Sequence, residues 1–246
     1  ASILVFLYEQ SLDDFELTKF FNNYGVVPYE LTGKGDIAEL IREVRTREEE
    51  NEILNIDGAG DFYRAFGRPA AALYEGGPPS VWLTLFSSMF MHGGWLHLGG
   101  NMLFLWVFGD NIEDRLGRLK YLIFYIAAGL AAVGAQLLVN LNSGIPTIGA
   151  SGAIAGVLGA YLLLFPRSQI RTVIIFFFIT YVSLPAYLLI GIWIFQQFFN
   201  GFLSLGADFA GGVAYWAHVG GFVFGAAVIG ALLATGLLRR ETQPQF

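Results

Sequence analysis

YLIFYIAAGLAAVGAQLLVN (121–140) opens the stretch whose reading decides the architecture of this chain. It is apolar over the length of one bilayer crossing, and the shortage of charge continues well past it. From Tyr121 to Ala207 there is no acidic residue, and the basic ones are Arg167 and Arg171. Such a run is written for lipid rather than for water. The whole chain agrees. Of its 246 residues 55% are hydrophobic and 14% charged, little more than half of the roughly 25% charge usual in soluble domains.

Outward from 121, apolar blocks recur at 81–108, 119–139, 149–165, 184–201 and 211–238. The first is too long for one untilted span, ~42 Å if helical. Gly93-Gly94 is its natural break, which predicts a short membrane-dipping segment at 81–92 and a spanning helix at 94–109. The Phe/Ile-rich TVIIFFFITYVS (172–183) is separated from the next helix by Pro185 and reads as interfacial. Residues 1–8 (ASILVFLY) read as the tail of a first membrane helix that begins before this sequence. The fold expected is therefore an all-α polytopic membrane protein, a six-helix bundle with a large first extramembrane loop.

That loop, residues 9–80, is mixed and polar. Between Gly33 and Ser80 it carries ten acidic and six basic residues, most of the net charge of −6. Ile37, Leu40, Ile41 and Val44 follow helical spacing, and the charge run 45–52 extends an amphipathic surface helix. Gly76-Gly77-Pro78-Pro79 closes the segment as a linker, and 81–238 forms the membrane core. Lys and Arg counts in the successive connections after the 94–109 helix run three, zero, two, zero and two, ending at Arg239 and Arg240. Strict alternation places the basic connections and the tail 239–246 in the cytoplasm, and 9–80 outside.

Composition also excludes chemistries. With no cysteine, thiol nucleophiles, disulfides and thiolate metal sites are out. The negative net charge argues against a nucleic-acid partner. No HExxH occurs, and three histidines with no acid in the clear spans make a poor metal cage, so neither metal nor cofactor is expected. Missing intramembrane carboxylates likewise disfavour aspartyl proteolysis and proton-coupled transport.

What remains in the apolar blocks is hydroxyl and imidazole. His97 and Asn101 stack one turn apart, ~5–10 Å below Gly94. Ser151 stands in GASG (149–152) at a helix start, where free backbone N–H groups favour an anion. Gly149, Gly152, Gly156 and Gly159 form a small-residue stripe, and His218 shares a face with Gly211, Ala214, Gly221 and Gly225. A serine beside imidazoles is the chemistry of a serine hydrolase. Gln136, Gln196, Gln197 and Asn200 read as polar glue between helices, His92 as an interfacial residue and Asp208 as a solvated loop residue.

The stretches MHGGWLHLGGN (91–101), FGDNIEDRLGRLKY (108–121), GASGAIAG (149–156) and AHVGGFVFG (217–225) resemble, in order and spacing, the rhomboid family of intramembrane serine proteases. The resemblance implies a Ser–His dyad, with Ser151 as nucleophile and His218 as general base. It implies an oxyanion hole from His97, Asn101 and the Ser151 backbone N–H, with Gly149, Gly152, Gly221 and Gly225 in support. The partners implied are transmembrane protein substrates within membrane lipid. The alternating positive connections suit a multi-pass protein of a bacterial inner membrane, with an organelle membrane left open. Two departures stand out. Trp82 is followed by Leu83 where many relatives have Trp-Arg, and Ala155 replaces the aromatic that stacks on the catalytic histidine in some members, leaving Trp216 or Tyr215 to orient His218. Two rival readings remain open: a non-catalytic rhomboid-like protein that binds and escorts membrane clients, and a small transporter.

Overall fold

The computed structural model describes residues 1–32, 77–78, 80–141, 145–175, 179–205 and 213–239. The amphipathic helix expected at 37–52, Asp208, Gly211 and most of the 239–246 tail lie outside the described residues. The chain divides into two compact units, Ala1–Gly100 with Leu137–Ala150, and Asn101–Gln136 with Ser151–Phe246.

In the first unit Asp13 caps α2 (Asp14–Tyr24) by accepting the Glu16 N–H at 2.8 Å, after the short α1 (Ser2–Glu9). Phe6 is fully buried, with Trp95 set edge-on at 4.8 Å. Pro28 opens α3 (Pro28–Leu31), where a missing N–H costs nothing. The segment expected to dip into the membrane is a series of single turns around α4 (Thr84–Ser87) rather than one helix. Hydroxyls take the place of a continuous backbone ladder there: Thr84 donates to the Val81 carbonyl at 2.6 Å, and Ser87 to that of Tyr24 at 2.6 Å. Val26 and Thr147 exchange both backbone hydrogen bonds, an isolated bridge that fastens the loop preceding Ser151. Gly149 adopts φ 119°, open to glycine alone, while its N–H donates to the Ser88 carbonyl at 2.8 Å.

The helix α5 (Trp95–Phe104) widens to a π-turn over Leu105–Gly109 and continues as α6 (Asp110–Leu116). The sequence reading ended this helix at 109 and gave Arg115 to a loop. In the structure the break is Gly117, at φ 77°, with α7 (Arg118–Val139) following at once. Next come α8 (Ser151–Leu164), α9 (Ala186–Leu203) and α10 (Tyr215–Ala234). Helices α7, α9 and α10 are long and apolar enough to cross a membrane, with mean hydropathies of 2.2, 1.4 and 1.9. The protein is thus a predominantly helical, integral membrane protein.

One element departs from an all-helical reading. Strands β1 (Gln169–Ile175) and β2 (Ile179–Pro185) pair antiparallel, Gln169 opposite Pro185 and Arg171 opposite Ser183. Their β-branched and aromatic residues favour the ribbon. A short apolar run does not by its periodicity distinguish strand from helix.

Helix α8 is the centre of the second unit, buried on nearly every side. Its glycine stripe explains how. A methyl on Gly221 would overlap the Gly152 carbonyl oxygen, and one on Gly225 that of Gly156, so α8 and α10 meet backbone to backbone. On its other side Gly152 and Gly156 receive the methyls of Ala132 and Ala128 from α7. Towards the far end the core turns large, with Phe108 edge-on to the buried Tyr161 at 4.9 Å and Leu158, Leu164, Ile190 and Ile229 around it.

Candidate active site

Ser151 is the first residue of α8, delivered by the positive-φ turn at Gly149. His218 lies one turn into α10. The close approach of these two helices at Gly152 and Gly221 brings both side chains together, with His218 Nε2 2.7 Å from Ser151 Oγ. Both residues are half-buried. This distance is within reach for direct proton transfer between hydroxyl and imidazole.

Three hydrogen bonds and a ring contact fix the turn that carries His218. Gln136 accepts the Ala217 N–H at 3.3 Å, so a side chain of α7 satisfies one of the free donors at the start of α10. The Trp216 indole N–H donates to the Gly201 carbonyl at 3.1 Å. His218 Nδ1 lies 2.8 Å from Gln197 Oε1, and the Trp193 ring is 5.8 Å from the imidazole between centroids. Trp216 and Tyr215 were the residues expected to orient His218. Trp216 instead spends its polar atom on Gly201, and α9 supplies the groups that meet the imidazole. Gln136 and Gln197 were read as glue because an amide in hydrocarbon looks alike whatever it binds. Their partners follow only from the relative register of α7, α9 and α10. Helix α10 begins at Tyr215, with Ala214 as its N-cap.

Asn101 is buried, and its Nδ2 has no hydrogen-bond partner among the described residues. A buried, unspent donor calls for an explanation. His97, one turn earlier on α5, belongs to the first unit and is half-buried. The Gly93 N–H donates to its Nδ1 at 3.3 Å, which leaves the proton of the neutral ring on Nε2 and makes that atom a donor.

His92, read as an interfacial residue, is buried within the first unit. It is 1% exposed and stands 5.1 Å from the His97 ring, and its backbone N–H lies 3.3 Å from each oxygen of the fully buried Glu9 carboxylate. Burial pushes the Glu9 pKa up to about 7 against the opposing His92 N–H bond. Burial, then repulsion from His97, lowers that of His92 to about 4. Glu9 went unnoticed in the sequence because it sits at the end of a short apolar run, where a lone acid reads as the first residue in water. It fastens the 81–92 segment.

Comparison with known proteins gives a match to the rhomboid domain over residues 79–235. Rhomboid protein 1, mitochondrial, of Saccharomyces cerevisiae is 38% identical over 36% of this chain and 27% of its own length. Rhomboid protease GluP of Bacillus subtilis is 35% identical over 45% of this chain and 21% of its own. Presenilin-associated rhomboid-like protein A, mitochondrial, of Danio rerio is 30% identical over 60% and 37%. The chain therefore spans about a fifth to two-fifths of the length of these relatives.

Proposed function

The chain belongs to the rhomboid family, and on that premise we propose that it is an intramembrane serine endopeptidase that cuts transmembrane segments of other membrane proteins. The observation that carries the proposal is the 2.7 Å contact between Ser151 Oγ and His218 Nε2.

In this mechanism His218 Nε2 takes the Ser151 proton as Oγ bonds to the scissile carbonyl carbon, whose oxygen gains the charge. The donors proposed for that oxyanion are the Asn101 amide and the Ser151 backbone N–H at the positive end of α8, with His97 Nε2–H added on the family resemblance alone. Each such donor is worth roughly 2.7–4 kcal/mol in related chemistry. The imidazolium then returns its proton to the leaving amine, giving an acyl-enzyme. Water adds to this ester, losing a proton to His218, and the restored hydroxyl leaves. Gly149, Gly152, Gly221 and Gly225 support the pair, the first through its turn and the others by letting the helices touch. No cofactor is required.

The proposed arrangement in the membrane follows the charge tally. Arg115, Arg118, Lys120, Arg167, Arg171 and the 239–246 tail face the cytoplasm, and 9–80 lies outside, with 1–8 closing a first span ahead of the 81–238 core. A bacterial inner membrane fits this pattern best.

Labelling with a fluorophosphonate in detergent tests the proposal. Wild type is expected to react, and Ser151→Ala and His218→Ala to fall to background. A folded wild type that does not react would overturn the protease reading in favour of client binding. Reaction that survives Ser151→Ala would mean another nucleophile.

A further inference from the structure

Helices α7, α8, α9 and α10 contain no acidic residue, so no carboxylate on them is available to hold the imidazole of His218. Their titratable groups are Tyr121, Tyr125, Tyr161, Tyr187 and Tyr215, with Arg118 and Lys120 at the start of α7. A neutral imidazole has two tautomers, and only the one with its proton on Nδ1 leaves Nε2 able to accept from Ser151. Something must select that tautomer.

We propose that Gln197 is the positioning residue of the pair, its amide oxygen accepting the Nδ1 proton of His218 and so keeping Nε2 free to take the proton of Ser151. The proposal rests on the protease reading for its purpose and on separate geometry for its substance. Gln197 Oε1 stands 2.8 Å from Nδ1, on the opposite side of the ring from the 2.7 Å contact to Ser151. Gln197 is 7% exposed, so water does not readily replace it, and a buried carbonyl without its donor would be costly. The opposite amide orientation would donate into Nδ1 and put the ring proton on Nε2, facing the hydroxyl it is meant to deprotonate. When the ring becomes cationic, the same carbonyl dipole points at the new charge, and Trp193, within 6 Å, offers its aromatic face. A neutral amide on α9 thus takes the orienting role that an acid fills in a Ser–His–Asp triad.

The protein has three histidines, which makes the tautomer directly readable. Imidazole nitrogen NMR of histidine-labelled protein in detergent is compared for wild type, Gln197→Leu and Gln197→Glu, with His218→Ala to assign the signal. The expected result is a single Nδ1–H tautomer at His218 in wild type, kept in Gln197→Glu and replaced by a mixture in Gln197→Leu. Fluorophosphonate labelling of the same proteins is expected to slow about tenfold in Gln197→Leu at unchanged reagent affinity. In Gln197→Glu the acid limb of its pH profile is expected to move to higher pH, because a carboxylate favours the imidazolium. A merely structural glutamine would move neither tautomer nor pH limb. An Nε2–H tautomer in wild type, or an unaltered ring in folded Gln197→Leu, would overturn the proposal. A locked tautomer in a wild type that does not label would overturn the protease reading while leaving the hydrogen bond to Gln197 standing.

Discussion

The two units bury different things. In the first, polar and charged side chains lie inside: Glu9, Asn22, Asn23, Thr84, Ser88 and His92 are all nearly or wholly inaccessible. In the second, the buried polar residues among those described are Asn101 and Gln197, while the packing rests on glycine, alanine and large apolar side chains. The difference separates two uses of a buried polar group. In the first unit, polar groups hold turns that have no backbone ladder to hold them, as Glu9 does for His92 and Ser87 for Tyr24. The second unit is already held by helix contact, and its two exceptions are an unspent donor and a partner of His218. Under the proposed function, polarity there serves chemistry.

If that contrast is right, the largest effect comes from the glycine contact. Gly225→Ala places a methyl in the Gly156 carbonyl oxygen, and thermal unfolding in detergent should show loss of the fold or destabilisation of about 3 kcal/mol or more. Asn101→Leu comes next and divides stability from activity. Removing an unpaired buried amide should leave the melting temperature unchanged or raised, whereas the labelling or cleavage rate should fall roughly a hundredfold. Equal loss of both would make Asn101 a structural residue like those of the first unit.

A pH titration of stability probes the first unit at a smaller scale. The raised pKa of Glu9 makes the fold bind its proton more tightly, so this contribution is full below about 4.5 and is lost as pH rises through about 7. The lowered pKa of His92 acts the opposite way, present above 6.5 and lost as pH falls through about 4. Between 4.5 and 6.5 the two slopes oppose each other. Glu9→Gln should therefore unmask melting temperatures that rise with pH up to about 6.5, and His92→Asn ones that fall towards about 7. Matching profiles for all three proteins would show that the pair does not titrate on unfolding. The smallest effect is expected on α9, where a methyl on Gly191 meets nothing within 4 Å. Gly191→Ala should be neutral or stabilising by up to about 1 kcal/mol.

Much of the second unit was legible because its rules are periodic. The span expected at 119–139 is the helix Arg118–Val139, and the small-residue spacings at 149–159 and 218–225 already aligned the faces that meet. Ser151 and His218 could be singled out as rare polar groups in apolar helices. What could not be read were partnerships set by rotation of one helix against another. Gln197 and Gln196 are neighbours of one residue type on α9, and only the register tells which of them faces His218. Glu9 and His92 are 83 positions apart, so their pairing left no local pattern. The ribbon at 169–185 was missed for a different reason, since its apolar run suits either period equally well.

The bridge between Val26 and Thr147 has a consequence for assembly. It joins residues more than a hundred positions apart, and the loop it fastens leads through Gly149 straight into Ser151. Contacts of such long range form late, because the chain must close a large loop before they return any energy. During synthesis the α2–α3 region emerges before this bridging partner, which follows the 119–139 block. The turn that leads into Ser151 is thus finished by a segment made well before it. A nascent chain stopped before Thr147 should carry α2 and α3 without the backbone bridge at Val26.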